Sequence, residues 1–401
     1  MAREIGPNVM VLEAQAKAGL TIYRSLYRHG RRVIAAAPQR LCTGFFSQHV
    51  SGRVIYPPCT TAPDACAEFL IRYLSSGHIE MLYPVDQFMT ALVARHQDEI
   101  RRHTRLILPP YEIFQIGNDK ILTLKAARRI GVPIPRTWFT DEQPLELIAQ
   151  EATYPCLIKP AVSVAAVGIT LVKTPEELLE KFPAVSARFG NRCFVQEFVP
   201  HEGGRQHKVD VLMGSRGKVL VGFAFDKLRF YPPTGGSSTL NRVVHRPDMV
   251  QQAVRLLKEI GWYGFCDFDF ITDPRDGVPK LMEINPRFPD TLEATWIAGL
   301  DVTEMMYQMA HGQEPAPQMD YRAGDYLRFL PGDIMWFITC RERNKHLKSW
   351  MRFFGRDIHY LVTSLREPGP AVGYLLENLT VLLDRQQRQA RFRLAQARRR
   401  S

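Results

Sequence analysis

Two short apolar segments carry acidic, amide and basic side chains at every second position. The first, FCDFDF, contains Asp267 and Asp269, and the second, LMEINPR, contains Glu283, Asn285 and Arg287. If both segments are strands, the polar side chains of each lie on one face, because side chains alternate along a strand with period two. Buried carboxylates are costly unless a cation or a donor compensates them. The segments therefore predict either a cation site or an ion-paired sheet surface.

The sequence between the two segments, TDPRDGV, is short and rich in turn residues, which predicts an antiparallel hairpin with coinciding polar faces. Such a hairpin brings two or three carboxylates close to an amide oxygen. These are ligands of hard divalent cations, and Mg²⁺ held together with nucleotide phosphates is the commonest case. Arg287 beside the cluster would bind phosphate or carboxylate oxygens. An ion-paired surface remains an alternative, above all for Asp269.

Composition narrows the class of protein. The 401 residues suggest two or three domains, and the net charge of +11 suits anionic partners such as nucleotides, nucleic acid or an acidic membrane surface. Much of that charge lies in the terminal stretch RQQRQARFRLAQARRRS. The seven cysteines are scattered without a CxxC pair, which favours a reduced, cytoplasmic chain over a zinc protein. We predict no signal peptide and no transmembrane helix.

Residues 1–115 alternate strand and helix patterns, which predicts an open parallel sheet with helices on both faces. The five predicted strands are NVMVLEA, RRVIAAAP, RVIYPP, HIEMLYPVD and RLILPP. The first strand-to-helix turn, EAQAKAG, lacks the glycine pattern of dinucleotide sites, so the shape is Rossmann-like without that function. Asp86 follows the fourth strand, where it either faces a ligand or caps the next helix.

Two further regions follow. Residues 116–318 predict an α+β domain with antiparallel sheets, including a hairpin around the turn GSRG. Residues 319–401 predict a mainly helical extension that ends in a long basic amphipathic helix.

The ordered motifs YPCLIKP, VQEFV, FCDFDF and LMEINPR resemble those of the ATP-grasp superfamily, over roughly residues 5–315. The similarity is to the carbamoyl-phosphate-synthase-large-chain-like and carboxylate–amine ligase branch, which includes D-aspartate-ligase-like proteins. The resemblance implies a Rossmann-like pre-ATP-grasp domain followed by a two-part ATP-grasp domain. It also implies ATP and Mg²⁺ (or Mn²⁺) as cofactors.

The resemblance assigns nucleotide contacts to five positions. Lys120 and Lys159 match the two lysines that hold ATP phosphates. The stretch containing Glu197 and Val199 matches the strand whose backbone reads the adenine edge. Gln206 falls near the ribose-binding acidic position, although it is an amide here.

The same resemblance assigns the chemistry. Asp267 and Glu283 match the metal-bridging acids, Asn285 matches the third metal ligand, and Arg287 matches the arginine that steadies the acyl phosphate and the tetrahedral intermediate. Arg229 lies in a region that contacts the carboxylate substrate and the transferring phosphate in the family.

Three neighbouring features are less specific. Lys227 alternates with Arg229 on one strand face, which predicts either a substrate contact or a solvent-facing strand. The segment AVSVAAVGI after Lys159 is less rich in glycine and serine than the family's phosphate lid, although Ala165, Ala166 and Gly168 are small enough for close approach. Asp290 and Glu293 either bind a cationic group of the substrate or cap the helix that follows them, and we expect the cap.

Together these features predict an ATP- and Mg²⁺-dependent, ADP-forming carboxylate–amine or carboxylate–thiol ligase that acts through an acyl phosphate. Its partners would be a small carboxylate and an amine, with no nucleic acid. One alternative is an ATP-grasp protein that binds nucleotide without turnover, because the lid is modified. Another is a membrane-surface protein that uses its basic C-terminal helix. A homodimer is left open.

Overall fold

Three β-sheets organise the chain in a computed structural model that describes residues 7–163, 167–200, 205–233 and 236–383. The first sheet belongs to the N-terminal region, and the other two belong to the middle region. The prediction of a parallel sheet followed by antiparallel sheets is confirmed.

The N-terminal sheet is parallel, with the strand order β3-β2-β1-β4. Its elements are β1 (Asn8–Val11), α1 (Ala18–Arg28), β2 (Arg32–Ala37), β3 (Val50–Ile55), α2 (Pro63–Leu74), β4 (Met81–Tyr83), α3 (Gln87–Arg95) and α4 (Gln97–Ile100).

The predicted fifth strand, RLILPP, is wrong. Only Arg105 pairs with the sheet, through a single bridge to Met81. The segment runs into Pro109 and Pro110, which lack the amide N–H groups that a longer strand pairing would need.

The second sheet is small and antiparallel, with the order β5-β8-β6-β7. It is preceded by two helices and is covered by two more. The elements are α5 (Tyr111–Asn118), α6 (Lys120–Arg129), β5 (Thr137–Phe139), α7 (Leu145–Glu151), β6 (Cys156–Pro160), β7 (Thr170–Val172), α8 (Pro175–Arg188) and β8 (Cys193–Glu197).

The third sheet has seven strands in the order β13-β12-β9-β10-β11-β14-β15. The elements up to residue 310 are β9 (Arg205–Met213), β10 (Val219–Tyr231), β11 (Ser237–Val244), α9 (Pro247–Ile260), β12 (Gly264–Thr272), β13 (Pro279–Asn285), α10 (Glu293–Ile297) and α11 (Val302–Ala310). The predicted hairpins β9–β10 and β12–β13 are both present.

Local sequence explains why α9 lies where it does. Pro247 occupies its first turn, where a missing N–H costs nothing, and Gly261 ends it in the left-handed conformation at φ 71°. Its buried side chains, among them Met249, Ala253 and Leu257, recur at helical spacing and join the core under the large sheet.

The C-terminal region contains two short strands in addition to the helices that the sequence predicts. It contains α12 (Leu330–Thr339), α13 (Arg343–Trp350) and α14 (Gly369–Leu383), together with β14 (Tyr326–Arg328) and β15 (Ile358–Tyr360). The two short strands extend the large sheet, because β14 pairs with β11 on one side and with β15 on the other. The basic tail, residues 384–401, lies outside the described residues.

Two of the sheets share a hydrophobic core, whereas the small sheet has its own. Val11 and Leu20 of the N-terminal region belong to the same cluster as Phe223 and Phe265 of the large sheet. A separate cluster, which includes Ile158, fills the small sheet and its helices. Within the described residues, the chain has no helix with the length and apolar character needed to cross a membrane.

Candidate active site

Two carboxylates face each other across the hairpin β12–β13. Asp269 is directly opposite Glu283, and Asp267 is opposite Asn285. The Nδ2 atom of Asn285 donates to Asp269 Oδ2 at 3.1 Å and lies 3.5 Å from Glu283 Oε1. One amide donor thus lies between two carboxylates.

Asp267 is buried more deeply than Asp269. Its side chain is fully buried, and Asp210 lies opposite it on β9. The ammonium group of Lys208 contacts Asp267 Oδ2 and lies 3.4 Å from Asp269 Oδ2. Lys208 therefore links the buried aspartate to the one at the cleft.

Asp210 is a buried carboxyl group beside a second carboxylate. Among the described residues, neither of its carboxyl oxygens has a hydrogen-bond partner, and its side chain is fully buried. Burial raises the pKa of Asp210 well above its ordinary value, and the charge of Asp267 raises it further. Both effects favour the protonated form of Asp210.

A second lysine contacts the cleft aspartate. Lys227 on β10 pairs with Asp269 Oδ1. Burial alone would raise the pKa of Asp269, but the ammonium groups of Lys208 and Lys227 outweigh it and hold that pKa below its ordinary range. Asp269 is therefore an anion in contact with two cations.

The two predicted phosphate-binding lysines approach the same cluster from the other side. Lys120 opens α6; its Nζ atom donates to the carbonyl oxygen of Ser163 at 3.0 Å and lies 3.3 Å from Glu283 Oε2. Lys159 on β6 donates to Gln196 Oε1 at 2.7 Å. Burial lowers the pKa of Lys159 to about 8, although the charge of Glu283 opposes that shift.

Glu197 joins the small sheet to the large one. Its Oε1 atom accepts a hydrogen bond from the backbone amide of Arg136 at 2.8 Å, and its Oε2 atom accepts one from Arg275 at 2.9 Å. Lys280 lies 3.5 Å from Glu197 Oε1 and 2.6 Å from Asp273. The side chain of Glu197 is thus engaged in a contact between the two sheets.

The other two predicted nucleotide contacts lie nearby. Val199 is buried just beyond the end of β8, at 4% exposure. Gln206 is half-buried on β9, on the same face as Lys208, because the two residues are two positions apart in the strand.

Arg287 follows β13 and is half-buried. Its guanidinium donates to the carbonyl oxygen of Phe288 at 3.2 Å and to Asn285 Oδ1 at 3.3 Å, and it forms no salt bridge with any carboxylate of the described residues. Its charge acts on Asp86 of the N-terminal sheet, whose pKa burial raises and Arg287 lowers. Arg287 therefore lies between the carboxylate cluster and the N-terminal sheet with its charge unpaired.

Two expectations for the N-terminal side have different outcomes. Asp86 caps α3 by accepting a hydrogen bond from the amide of Met89 at 2.8 Å, so the capping interpretation is confirmed. The capping role expected for Asp290 and Glu293 is wrong, because α10 has no side-chain cap. Glu293 instead accepts hydrogen bonds from α1, while Asp290 pairs with Lys17 at 2.6 Å, just before that helix.

Arg229 lies away from the carboxylate cluster. The pairing of β10 with β11 is irregular on both sides of Arg229, and its guanidinium donates to Asp333 on α12 at 3.0 Å. Ser349 accepts a second hydrogen bond at 3.0 Å, and the ring of Trp336 lies 4.8 Å from the guanidinium carbon. The buried carboxylate of Asp333 thus holds Arg229 against the C-terminal helices.

The predicted lid is described only at its two ends. Ala165 and Ala166 lie outside the described residues. Gly168 has φ 83°, and a Cβ atom there would lie 2.3 Å from the ring of Phe189 and 2.8 Å from Pro160. Only glycine fits this turn without a shift of its neighbours.

Three residues of the cluster were missing from the predicted contacts. Strand alternation places Asp269 on the polar face, but the family resemblance does not include it among the metal ligands. Lys208 and Gln196 are absent from the predicted contacts. The alternation of HKVDV places Lys208 on the same strand face as Asp210. Gln196 lies in FVQEF on β8, which pairs with the strand that carries Lys159. Strand alternation combined with hairpin register was the signal that could have found Asp269.

The part of the chain that contains the carboxylate cluster is similar to known proteins. Residues 119–316 match the model of the family "Carbamoyl-phosphate synthase L chain, ATP binding domain". That range contains the whole carboxylate cluster and all four lysines around it.

Residues 119–316 form an ATP-grasp domain.

Curated relatives of the ATP-grasp domain are distant. D-aspartate ligase of Enterococcus faecium is 24% identical over 233 residues, which are 54% of this chain and 55% of that protein. The methylcrotonoyl-CoA carboxylase subunit alpha of Oryza sativa subsp. japonica is 27% identical over 218 residues, which are 51% of this chain and 29% of that protein. The matches thus span about half or less of the relatives' own length.

Solved structures share the fold of the ATP-grasp domain and of its N-terminal neighbour. Biotin carboxylase from Campylobacter jejuni, solved as a β,γ-ATP complex, has a TM-score of 0.66 at 17% identity, covering 81% of this chain and 75% of that one. N5-carboxyaminoimidazole synthetase from Staphylococcus aureus has a TM-score of 0.62 at 13% identity, with coverages of 80% and 81%. The biotin carboxylase domain dimer of Hydrogenobacter thermophilus 2-oxoglutarate carboxylase was solved with MgADP and bicarbonate, and has a TM-score of 0.65 at 18% identity over 80% and 74% of the two chains.

The donor set of this ATP-grasp domain fits a divalent cation. Across the described residues, no group of three or more Asp, Glu, His or Cys side chains converges as a metal site on its own. What comes together is the carboxylates of Asp269 and Glu283 with the carboxamide of Asn285, whose Nδ2 faces both carboxylates. Its Oδ1 accepts from Arg287 and would have to turn toward the carboxylates to complete the kind of all-oxygen set that Mg²⁺ takes together with phosphates.

Proposed function

We propose that this protein is a Mg²⁺-dependent, ADP-forming ligase that joins a carboxylate to an amine or a thiol through an acyl phosphate. The observation that carries the proposal is the convergence of Asp269, Glu283 and Asn285 between Lys120 and Lys159 on one side and Arg287 on the other. Phosphoryl transfer needs positioning and charge neutralisation of this kind more than acid–base catalysis.

Asp269, Glu283 and Asn285 would hold the divalent cation, which supplies charge neutralisation and orientation of the phosphate oxygens when bound. Asp267 would hold Lys208 in position, and Lys208 in turn contacts Asp269. Lys227 contacts Asp269 in the same cleft and would turn toward the transferring phosphate.

The lysines on the opposite side would bind the nucleotide. Lys120 contacts both the lid at Ser163 and the carboxylate of Glu283. A phosphate that binds Lys120 would replace Glu283 as its anionic partner and would be the stronger anion of the two. Lys159 is buried with a lowered pKa and an uncharged partner, Gln196, which leaves it ready for an anionic ligand.

Arg287 would bind the carboxylate substrate and then the acyl phosphate. Its guanidinium has no carboxylate partner among the described residues and is half-buried, where a charge-assisted contact is strong. The same group would stabilise the oxyanion that forms when the amine attacks. The lid around Gly168 would exclude water from the acyl phosphate.

Hydroxylamine tests the first half of the reaction without knowledge of the natural amine. The protein is incubated with ATP, Mg²⁺, hydroxylamine and a panel of small carboxylates, and both ADP and hydroxamate are measured. We expect the two products to form in equal amounts with at least one carboxylate, because hydroxylamine traps an acyl phosphate.

A matched pair of variants assigns any turnover to this site. Glu283→Gln removes one carboxylate of the cluster and should abolish product formation. Glu314→Gln makes the same chemical change at an exposed residue that pairs with Lys218 on the surface, and it should leave the rate unchanged. Tight ATP binding without ADP formation for any carboxylate would instead favour a nucleotide-binding protein without turnover.

Contact with a membrane surface is a second candidate function. One face of α14 packs on the N-terminal region, where Thr43 donates to Glu377 at 2.8 Å and a Cβ at Gly373 would lie 2.6 Å from Phe46. The face that remains exposed carries Val372, Leu375 and Leu379 at three- and four-residue spacing. An apolar stripe followed by a strongly basic segment is typical of helices that bind anionic membranes.

Sedimentation with vesicles tests this second candidate. The full chain should sediment with phosphatidylserine vesicles at low salt, and removal of residues 386–401 or the substitution Leu375→Glu should each reduce the bound fraction several-fold. Equal sedimentation of all three proteins would reject a role for α14 and the tail.

A further inference from the structure

A cavity of about 470 Å³ lies beside the outer strands of the large sheet, under α12 and α13. Its apolar wall consists of Phe230, Leu240, Tyr326, Trp336 and Ile358. The cavity shares no residue with the carboxylate cluster, and its volume is within the range of small-molecule sites.

Three arginines and no carboxylate line this cavity: Arg229, Arg328 and Arg352. Arg229 and Arg328 are almost completely buried, at 5% and 1% exposure. Both pair with the carboxylate of Asp333, which lies behind them, at 3.0 Å and 2.6 Å. Two buried guanidinium groups thus share one negative charge, and the described residues provide no counter-ion for the second positive charge.

The two buried guanidinium groups differ in their remaining contacts. Arg328 uses most of its donors, because it also donates to the carbonyl oxygens of Arg352 at 3.1 Å and Trp350 at 2.9 Å. Arg229 donates only to Asp333 and Ser349, and the described residues offer its Nε–H no acceptor. Burial and the neighbouring Arg328 both lower the pKa of Arg229, against the effect of Asp333. Arg229 is therefore the group with capacity for an additional anion.

The mouth of the cavity adds a second cation. Arg352 is half-exposed and binds Asp357 through two contacts of 2.8 Å, so it compensates that carboxylate while keeping donors toward the cavity. The site therefore has an excess positive charge close to one. That charge matches a carboxylate better than a doubly charged phosphate.

We propose that this cavity is a second ligand site, separate from the nucleotide site, that binds a small amphipathic carboxylate. The apolar or aromatic body of the ligand lies against Trp336 and Tyr326, and its carboxylate accepts hydrogen bonds from Arg229 and Arg352. The proposal does not depend on the proposed ligase reaction, because it concerns binding and not turnover.

The test uses the full chain and direct binding. The probes are 4-phenylbutyrate, its neutral amide 4-phenylbutyramide and inorganic phosphate, each titrated by calorimetry. We expect 4-phenylbutyrate to bind at least about tenfold more tightly than either of the other two, because each lacks one half of the recognised chemistry. Equal affinity of the acid and the amide overturns the proposal.

Variants and a chemical label locate the ligand. Arg352→Gln should weaken 4-phenylbutyrate binding about tenfold, whereas Lys345→Gln, which removes the same charge from α13 outside the cavity, should not. Bound 4-phenylbutyrate should also slow alkylation of Cys340, which lines the cavity, while alkylation of Cys59 in the N-terminal region is unchanged.

Separation from the nucleotide site is tested in the same assay. Saturating MgADP should leave the affinity for 4-phenylbutyrate unchanged. Competitive displacement by MgADP, or alkylation of Cys340 at the same rate with and without the probe, overturns the proposal of a second site.

Discussion

Asp267 and Asp269 are separated by one residue on the same strand face, yet their surroundings differ completely. Asp267 lies between Lys208 and the buried Asp210, whereas Asp269 lies at the cleft opposite Glu283. Strand alternation predicts that both share a face. It does not predict depth, because depth depends on which residues of β9 and β13 lie opposite, and that register is set by contacts remote in sequence.

The two aspartates should respond differently to the same substitution. We expect Asp269→Asn to weaken Mn²⁺ binding in the presence of ADP by about 10- to 100-fold, because it removes a proposed ligand. Asp267→Asn should change that affinity far less, since its side chain is fully buried. Electron paramagnetic resonance of free Mn²⁺ measures both, and the reverse order of effects would favour Asp267 as the ligand.

Lys159 should make nucleotide binding depend on pH. Its pKa is about 8 in the free protein, and a bound phosphate must raise it. Below that value the lysine is charged before and after binding, so affinity is constant. Above it, binding takes up a proton, and we expect the dissociation constant of ADP to rise by up to about tenfold per pH unit.

Calorimetry between pH 6.5 and about 9.5 checks this dependence, together with proton uptake measured in two buffers of different ionisation enthalpy. Lys159→Arg is the control, because arginine stays charged throughout and should flatten the profile. A flat profile for the unmodified protein would contradict the prediction.

Elements that repeat a strong pattern were predicted well from the sequence, and short elements were not. The hairpin β12–β13 has alternating polarity and a turn-rich connection, and it forms as predicted. The strands β14 and β15 have three residues each, too few to show period two, and they exist because the edge of the large sheet pairs with them. Arg229 shows the same limit, since a local irregularity of β10 and the remote Asp333 determine its contacts.

The turn that follows β6 offers a test of an element. Gly168 and Gly190 both have positive φ, but a Cβ atom meets Phe189 and Pro160 only at Gly168, while none of the described atoms lies within 4 Å at Gly190. We expect Gly190→Ala to lower the free energy of unfolding by about 1 kcal/mol, through backbone strain alone. Gly168→Ala should cost at least about 1 kcal/mol more, because the ring of Phe189 must move.

Urea denaturation of the two variants measures this difference, and ADP titration should show weaker binding only for Gly168→Ala. Equal destabilisation by both substitutions would indicate that the turn around Gly168 is loosely packed.

At the scale of the whole molecule, the N-terminal sheet and the large sheet share a hydrophobic core. The small sheet has a separate core, and Glu197 with Arg275 forms a polar contact between it and the large sheet. The sequence indicated the order of the regions but not this division, because side chains distant in sequence build each core.

Hydrogen exchange should reveal the division. We expect MgADP to slow amide exchange in the small sheet, over residues 156–172, much more than in the hairpin of residues 264–285. The hairpin amides are already held by strand pairing on both sides of β12 and by the shared core. Strong protection of the hairpin with no change in the small sheet would contradict a mobile small sheet.

The separate core of the small sheet has a consequence for turnover. Lys159 and the turn at Gly168 belong to the small sheet, whereas Asp269, Glu283, Asn285 and Arg287 belong to or directly follow the large sheet. If the small sheet moved away to release a product of the proposed reaction, its hold on the phosphates would loosen, but the spacing of the acidic and amide groups would be kept. The cation-binding groups would then already be in position when the next substrate binds.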